Sequence, residues 1–186
     1  MKIALTGMIA SGKTEVLKEL EKLGWLALAA DKLAWQAAES PEAKIFLKDH
    51  FGDRKPEKEE IRRKFIDDEK FRAGWEGVLH PKVNSLWREF ISNNARSNIA
   101  IEIPLLFEKR LETGFGKVVV CSCDTNLALS RWQMKGGRKE DYQALAGFLM
   151  PIESKLKKAD FVVENNTTLD DLRGRVHELH KQLLKQ

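Results

Sequence analysis

Gly7-Met8-Ile9-Ala10-Ser11-Gly12-Lys13-Thr14 follows the apolar segment Ile3-Ala4-Leu5 and fits the pattern G-x-x-x-x-G-K-[ST]. The pattern describes a phosphate-binding loop. A strand has to turn sharply into a helix while successive backbone N–H groups wrap the β-phosphate of a nucleotide, and Gly7 and Gly12 permit that close approach. Lys13 offers an ammonium to β- and γ-phosphate oxygens, Thr14 a hydroxyl to Mg²⁺, and the helix N-terminus a positive partial charge. Residues 14–23 read as the helix, with Val16, Leu17, Leu20 and Leu23 on one face and Gly24 as its stop.

Working outward, short apolar runs at 3–5, 25–29, 99–103, 118–121 and 161–163 alternate with longer amphipathic stretches. That order predicts an α/β fold: five buried parallel strands with helices on both faces, and ligands beyond the carboxyl ends of the strands. The gap at 32–98 is too long for one crossover helix. Ser40-Pro41, Gly52, Pro56 and His80-Pro81 punctuate it into several helices, a substrate-side insertion within a single domain spanning 1–186. A second insertion, 125–158, is broken at Gly136-Gly137 and restarts at Pro151, as a hinged helical lid would be. From 134 to 158 it carries six basic and three acidic residues, an excess suited to covering phosphates. The last helix opens at Thr168 and repeats Leu169, Leu172, Val176, Leu179 and Leu183, a packing stripe.

Composition limits the partners. A net charge of +4 and a pI near 9.0 fit acidic ligands, yet the 32 basic and 28 acidic residues are interspersed. Residues 53–72 mix eight basic with seven acidic side chains, the pattern of a solvated helical surface. No stretch clusters Lys and Arg around aromatics, so no nucleic-acid partner is expected. Cys121 and Cys123 cannot build a disulfide framework or a zinc site and read as buried thiols in a reducing compartment. No run approaches eighteen apolar residues, and a phosphate loop stands where a signal peptide would. The expectation is a cytoplasmic protein with no membrane partner, a monomer or a weak homo-oligomer.

Two acids stand where strands end. Asp31 follows the second apolar run, where its carboxylate can take a proton from an attacking hydroxyl, hold Mg²⁺ through water, or cap a helix expected to begin at Lys32. Glu102 lies inside the third run and needs a cation or a donor nearby; a Mg²⁺-linked water and a structural hydrogen bond satisfy it equally.

Across nearly its whole length the chain resembles the dephospho-coenzyme A kinases. Gly7 to Thr14 is similar to their phosphate loop, and Ala29-Ala30-Asp31 to their Asp-Ala-Asp. His80-Pro81 is similar to a His-Pro of their substrate-side helices, and Pro104-Leu105-Leu106-Phe107-Glu108 to a distinctive segment. Lys155, Ala159-Asp160 and residues up to Asn165 resemble their Lys-x-x-x-Ala-Asp-x-x-x-x-Asn ending, beside adenine. The resemblance implies a P-loop NTPase fold like that of nucleoside monophosphate kinases, with a helical CoA-binding insertion and a helical lid. It implies phosphorylation of the ribose 3′-hydroxyl of dephospho-CoA by ATP with Mg²⁺. It implies Asp31 as catalytic base and Arg131 as a lid cation; with Lys13, Lys135 and Arg138 these are the cations expected on the transferring group. Nucleotide would sit on Gly7, Met8, Ile9, Ala10, Ser11, Gly12, Lys13, Thr14 and Asn165. The acceptor would sit on Asp31, Trp35, His80, Leu105, Leu106, Phe107 and Glu108; the metal candidates remain Thr14 and Glu102, from the residue readings above.

The chain also departs from that family. Trp35 replaces a usual His or Arg, Ala29 the first acid of Asp-Ala-Asp, and Glu57 and Lys58 fall where an arginine is usual. Lys135 stands for a lid arginine, while Leu145 and Leu149 replace an Arg and a Gln. A lysine is a point charge without the bidentate fork of arginine. Two alternatives therefore stand beside the kinase of dephospho-CoA: a kinase of another small nucleotide acceptor, and a nucleotide-binding module with impaired catalysis.

Overall fold

The structure, a computed structural model, describes residues 1–185. Its strands are β1 (Lys2–Gly7), β2 (Leu26–Ala29), β3 (Ile99–Glu102), β4 (Lys117–Ser122) and β5 (Phe161–Glu164). They form one sheet in the order β2-β3-β1-β4-β5 with every neighbouring pair parallel. Side chains alternate between the two faces, and along the inner strands β1, β3 and β4 both faces are buried, which is why these read as continuous apolar runs. Ile3, Leu5, Val119, Cys121 and Val163 pack with Val16 and Leu20 of α1 (Lys13–Lys22) and with Leu172, Val176, Leu179 and Leu183 of α9 (Leu169–Leu184). Ala4, Thr6, Ile101 and Val120 fall on the opposite face by the period of two and are fully buried. There α8 (Ile152–Leu156) lies against the sheet, its Lys155 reaching Thr6. β1 has β3 on one side and β4 on the other, so its carboxyl end is the switch point where open parallel sheets bind ligands. The outermost strands, β2 and β5, have four residues each.

The chain forms two compact units. The sheet unit comprises Met1–Ala29 and the chain from Asn94, and also holds α6 (Thr125–Met134) and α7 (Lys139–Gly147). The helical unit, Ala30–Asn93, consists of α2 (Ala30–Ala37), α3 (Pro41–Phe51), α4 (Lys58–Asp67) and α5 (Glu69–Asn93). It has its own core of Ala37, Ala43, Ile61, Phe71, Trp75 and Leu79, with the Phe46 ring stacked 5.8 Å from Trp75. Among the described residues no helix is long and apolar enough to cross a membrane.

Beyond shifts of a residue or two at other ends, three places differ from the sequence expectation. Trp25 precedes β2, because its N–H closes the end of α1 on the Leu20 carbonyl at 3.1 Å and its indole donates to His180 Nδ1 at 2.9 Å. Helix α2 starts at Ala30, so Asp31 occupies its first turn instead of capping a helix from Lys32. His80-Pro81 does not break the chain: α5 runs 25 residues with Pro81 inside it. A mid-helix proline costs about 3 kcal/mol. Phe71, Trp75 and Leu79, one turn apart, are buried on one side of the proline and Trp87 on the other. At about 1.5–3 kcal/mol for each large apolar side chain, that burial outweighs the missing hydrogen bond.

Where α1 meets α9, the buried carboxylate of Glu19 accepts from Lys22 Nζ at 2.8 Å and faces His177 Nε2 at 3.1 Å. The Lys22 ammonium, more than the imidazole, holds Glu19 below the ordinary carboxylate value of 4.5, against the opposing effect of burial. The folded chain binds this proton less readily than the unfolded one. The stabilisation is thus complete above 4.5 and is lost as pH falls through the lower folded value. Urea denaturation across that acid range should show a shallower loss of stability for Glu19→Gln than for the parent; equal slopes would assign the acid limb to other groups.

Candidate active site

The loop between β1 and α1 has its carbonyls tied down. The Met8 carbonyl accepts from Ser11 Oγ at 2.9 Å and from Lys13 Nζ at 2.6 Å. The Ser11 carbonyl accepts from Asn165 Nδ2 at 2.8 Å and from the Cys121 thiol at 3.3 Å. Burial pushes Cys121 up to about 11, so it stays a protonated donor near neutral pH. Positive φ angles at Gly7 (143°), Ala10 (56°) and Gly12 (103°) bend the chain into an anion-accepting concavity of the kind made by successive amides. Glycine is imposed by neighbours as well as by backbone. A Cβ at Gly7 would lie 1.9 Å from the Cys121 carbonyl oxygen, and one at Gly12 would lie 2.2 Å from Asn165 Nδ2.

A cavity of about 500 Å³ opens on this loop and gathers Gly12, Lys13, Thr14, Glu102, Arg131 and Lys135. Lys13 is 8% exposed and Glu102 7%, and Lys13 Nζ stands 3.9 Å from Glu102 Oε1. Glu102 ends β3, opposite Leu5 of β1 and Ala29 of β2. The ammonium offsets part of the cost of burying that acid. The Thr14 hydroxyl and the Glu102 carboxylate, on the wall of one cavity, are hard oxygen donors of the kind that would hold Mg²⁺. Arg131, on α6, donates to the Asn165 carbonyl at 3.0 Å and to Asn165 Oδ1 at 3.3 Å, so the expected lid cation and an expected nucleotide residue are joined. Lys135 caps the end of α6 and is exposed on the same cavity. Arg138 instead grips Asp141 with two bonds, at 2.6 and 3.2 Å, across the first turn of α7.

The remaining expected residues are distributed differently. Asp31, Trp35 and His80 belong to the helical unit. Asp31 is exposed, and its carboxylate accepts from the Lys32 amide at 2.7 Å. Trp35 is 42% exposed one turn later, with the Lys58 ammonium 4.4 Å from its ring centre, so two departures from the family pattern meet. Along Pro104 to Glu108, Leu106 and Phe107 are core residues at 0% and 4% exposure, and Leu105 is half-buried. Glu108 pairs with Lys155 at 2.9 Å and accepts the Met150 amide at 2.7 Å. Asp160 bonds the Val118 amide at 2.8 Å, bridging β4 and β5.

Sequence reasoning missed Cys121 as a prop for the loop and Lys155 as a buried cation. A thiol in an apolar strand gives no sign of the bond it makes, and a lone lysine in a polar stretch reads as exposed.

Comparison with known proteins gives the family and the fold. The family model described as dephospho-CoA kinase matches residues 1–171. A dephospho-CoA kinase of Fusobacterium nucleatum is 32% identical over 187 residues, covering 95% of each chain. One of Thermus thermophilus is 33% identical over 174 residues, covering 91% of this chain and 85% of the relative. The crystal structure of TT1252 from Thermus thermophilus superposes with a TM-score of 0.81 at 29% identity, covering 98% of this chain and 97% of that one.

Because Gly12 is pinned between a positive φ and the Asn165 amide, Gly12→Ala should cost about 1–3 kcal/mol of backbone strain. Urea denaturation without ligand measures it, and an unchanged midpoint would show that the loop yields freely.

Proposed function

The chain belongs to the dephospho-CoA kinase family, and on that premise we propose how its residues carry out the reaction. Its function is transfer of the γ-phosphoryl group of ATP to the ribose 3′-hydroxyl of dephospho-CoA, giving CoA in the last step of coenzyme A biosynthesis. In this reading the triphosphate lies along Gly7 to Thr14. The observation that carries it is the cavity on that loop, where Lys13, Arg131 and Lys135 converge. Lys13 exchanges the Met8 carbonyl for β- and γ-phosphate oxygens, and the three cations stabilise charge that spreads over the transferring group. Asn165 flanks the base, holding Arg131 on one side and the loop on the other.

Thr14 and Glu102 would hold Mg²⁺, Glu102 through water. When bound, the ion supplies charge neutralisation across the phosphates. Asp31 is the base: it orients the 3′-hydroxyl and takes its proton late. In support, it lies two residues beyond Ala29, which pairs in register with Glu102. Trp35 and His80 face the acceptor, and residues 32–98 form the acceptor-binding insertion. Leu105, Leu106, Phe107 and Glu108 shape that side from within, through their packing and the Lys155 pair. Helices α6 to α8, residues 125–158, act as a lid whose closure keeps water from the γ-phosphate. The enzyme works in the cytoplasm, as a monomer or weak homo-oligomer, on a small-molecule acceptor.

A coupled ADP-release assay with dephospho-CoA, AMP, CMP or no acceptor tests the reading. Saturable release is expected with dephospho-CoA alone, and equal rates with AMP or CMP would overturn the acceptor. Asp31→Asn should lower turnover by about 10²–10⁴ with ATP binding retained, the range of a lost general base. Near-normal turnover would remove Asp31 from that role. Lys13→Ala should damage ATP affinity and turnover together; calorimetric titration showing unaltered ATP affinity would count against the loop.

A further inference from the structure

One ammonium of the sheet unit is buried as deeply as the core, and no step of the reaction uses it. Lys155 on α8 is 1% exposed. Its Nζ lies 2.9 Å from Glu108 Oε1, donates to the Pro104 carbonyl at 2.9 Å and reaches Thr6 Oγ1 at 3.4 Å. Thr6 Oγ1 donates to the same carbonyl at 3.2 Å, and Glu108 Oε1 also accepts the Met150 amide at 2.7 Å. Burial lowers the Lys155 pKa, the mark of a desolvation cost, and the Glu108 carboxylate opposes the shift. A methionine would fill the same volume without that cost.

The partners explain the charge. Thr6 immediately precedes the phosphate loop, Pro104 follows β3 by two residues, and Met150 to Leu156 is where the chain from α6 and α7 rejoins the sheet. Lys155 also lines a second cavity, of about 200 Å³, whose walls include Gly7 and Met8 of the loop and Tyr142 and Leu149 of the α7 region. The ammonium is thus bonded to the strand exit that carries the loop and, through Glu108, to the root of the α6–α8 stretch. At 1% exposure it is placed to hold neighbours, not phosphates.

We propose that Lys155 is a positioning residue for phosphoryl transfer: through Glu108 and the Pro104 carbonyl it locks the root of the 125–158 helices to the end of β1, so that they close on the triphosphate in one register with the loop. The inference rests on the reading of those helices as a lid. It assigns Glu108 to the lid's anchorage and gives the Pro104 to Glu108 segment a mechanical task.

A ratio that does not depend on how much enzyme is folded tests it: ADP released without acceptor, divided by ADP released with saturating dephospho-CoA. For Lys155→Met, kcat should fall about 10²-fold, the scale of an ångström-sized misplacement. Its KM for ATP should stay within about threefold, and the ratio should rise about tenfold as water gains access. Lys155→Arg, which keeps the charge, should recover most of the ratio. Glu108→Gln, which keeps an acceptor for Met150 but loses the ion pair, should move the ratio the same way, and it decides the matter if Lys155→Met does not fold. A lowered melting temperature with the ratio and kcat of the folded fraction unchanged would overturn the inference and leave the pair a structural bond. Absence of acceptor-dependent release in the parent would instead overturn the functional reading beneath it.

Discussion

A loop that meets an anion with its amides has to dispose of its carbonyls, and most of this sheet unit is arranged to do so. Two carbonyls, those of Met8 and Ser11, collect donors from four side chains. Two of these, Ser11 and Lys13, belong to the loop itself, while Cys121 comes from β4 and Asn165 from the end of β5. The donors arrive because β1 and β4 are neighbours in register, with Gly7 opposite Cys121, and because β5 pairs with β4. Sheet order is therefore a condition on the chemistry of the loop, beyond its role in burying apolar surface.

The same economy governs the charges. Lys13 and Glu102 are both nearly buried, 3.9 Å apart, on the wall of one cavity. Their attraction offsets part of the cost of desolvating each, and Lys13 also donates to the Met8 carbonyl. A triphosphate bound as proposed would gain most here because the site holds its cation ready, with little rearrangement beyond the exchange of one carbonyl for phosphate oxygen.

Much of this was legible in the residues. The eight-residue loop, the five apolar runs and the Thr168 cap of the last helix are local signals, and each corresponds to an element of the structure. Pro81 misled because a local rule about a missing N–H was overruled by Phe71, Trp75 and Leu79, whose burial is a property of the whole helical unit. Trp25 belonged to no strand because its amide was already committed to α1. The Lys155–Glu108 pair and the Cys121 thiol on Ser11 stayed hidden for a different reason. They join residues 47 and 110 positions apart, and no periodicity encodes which polar group will meet which across a sheet. Within the candidate site, the residues that touch phosphate by motif were easier to name than those that hold the motif in shape.

The sheet's two rims, β2 and β5, are each only four residues long, flanking inner strands of up to six. Unpaired strand edges invite other chains to add on, and brevity is one way of refusing them. Here each rim offers too short a ladder to template a lengthening stack, even though Val162 on β5 leaves an apolar side chain 46% exposed there. A crowded solution of identical copies thus finds little purchase for self-assembly along the sheet.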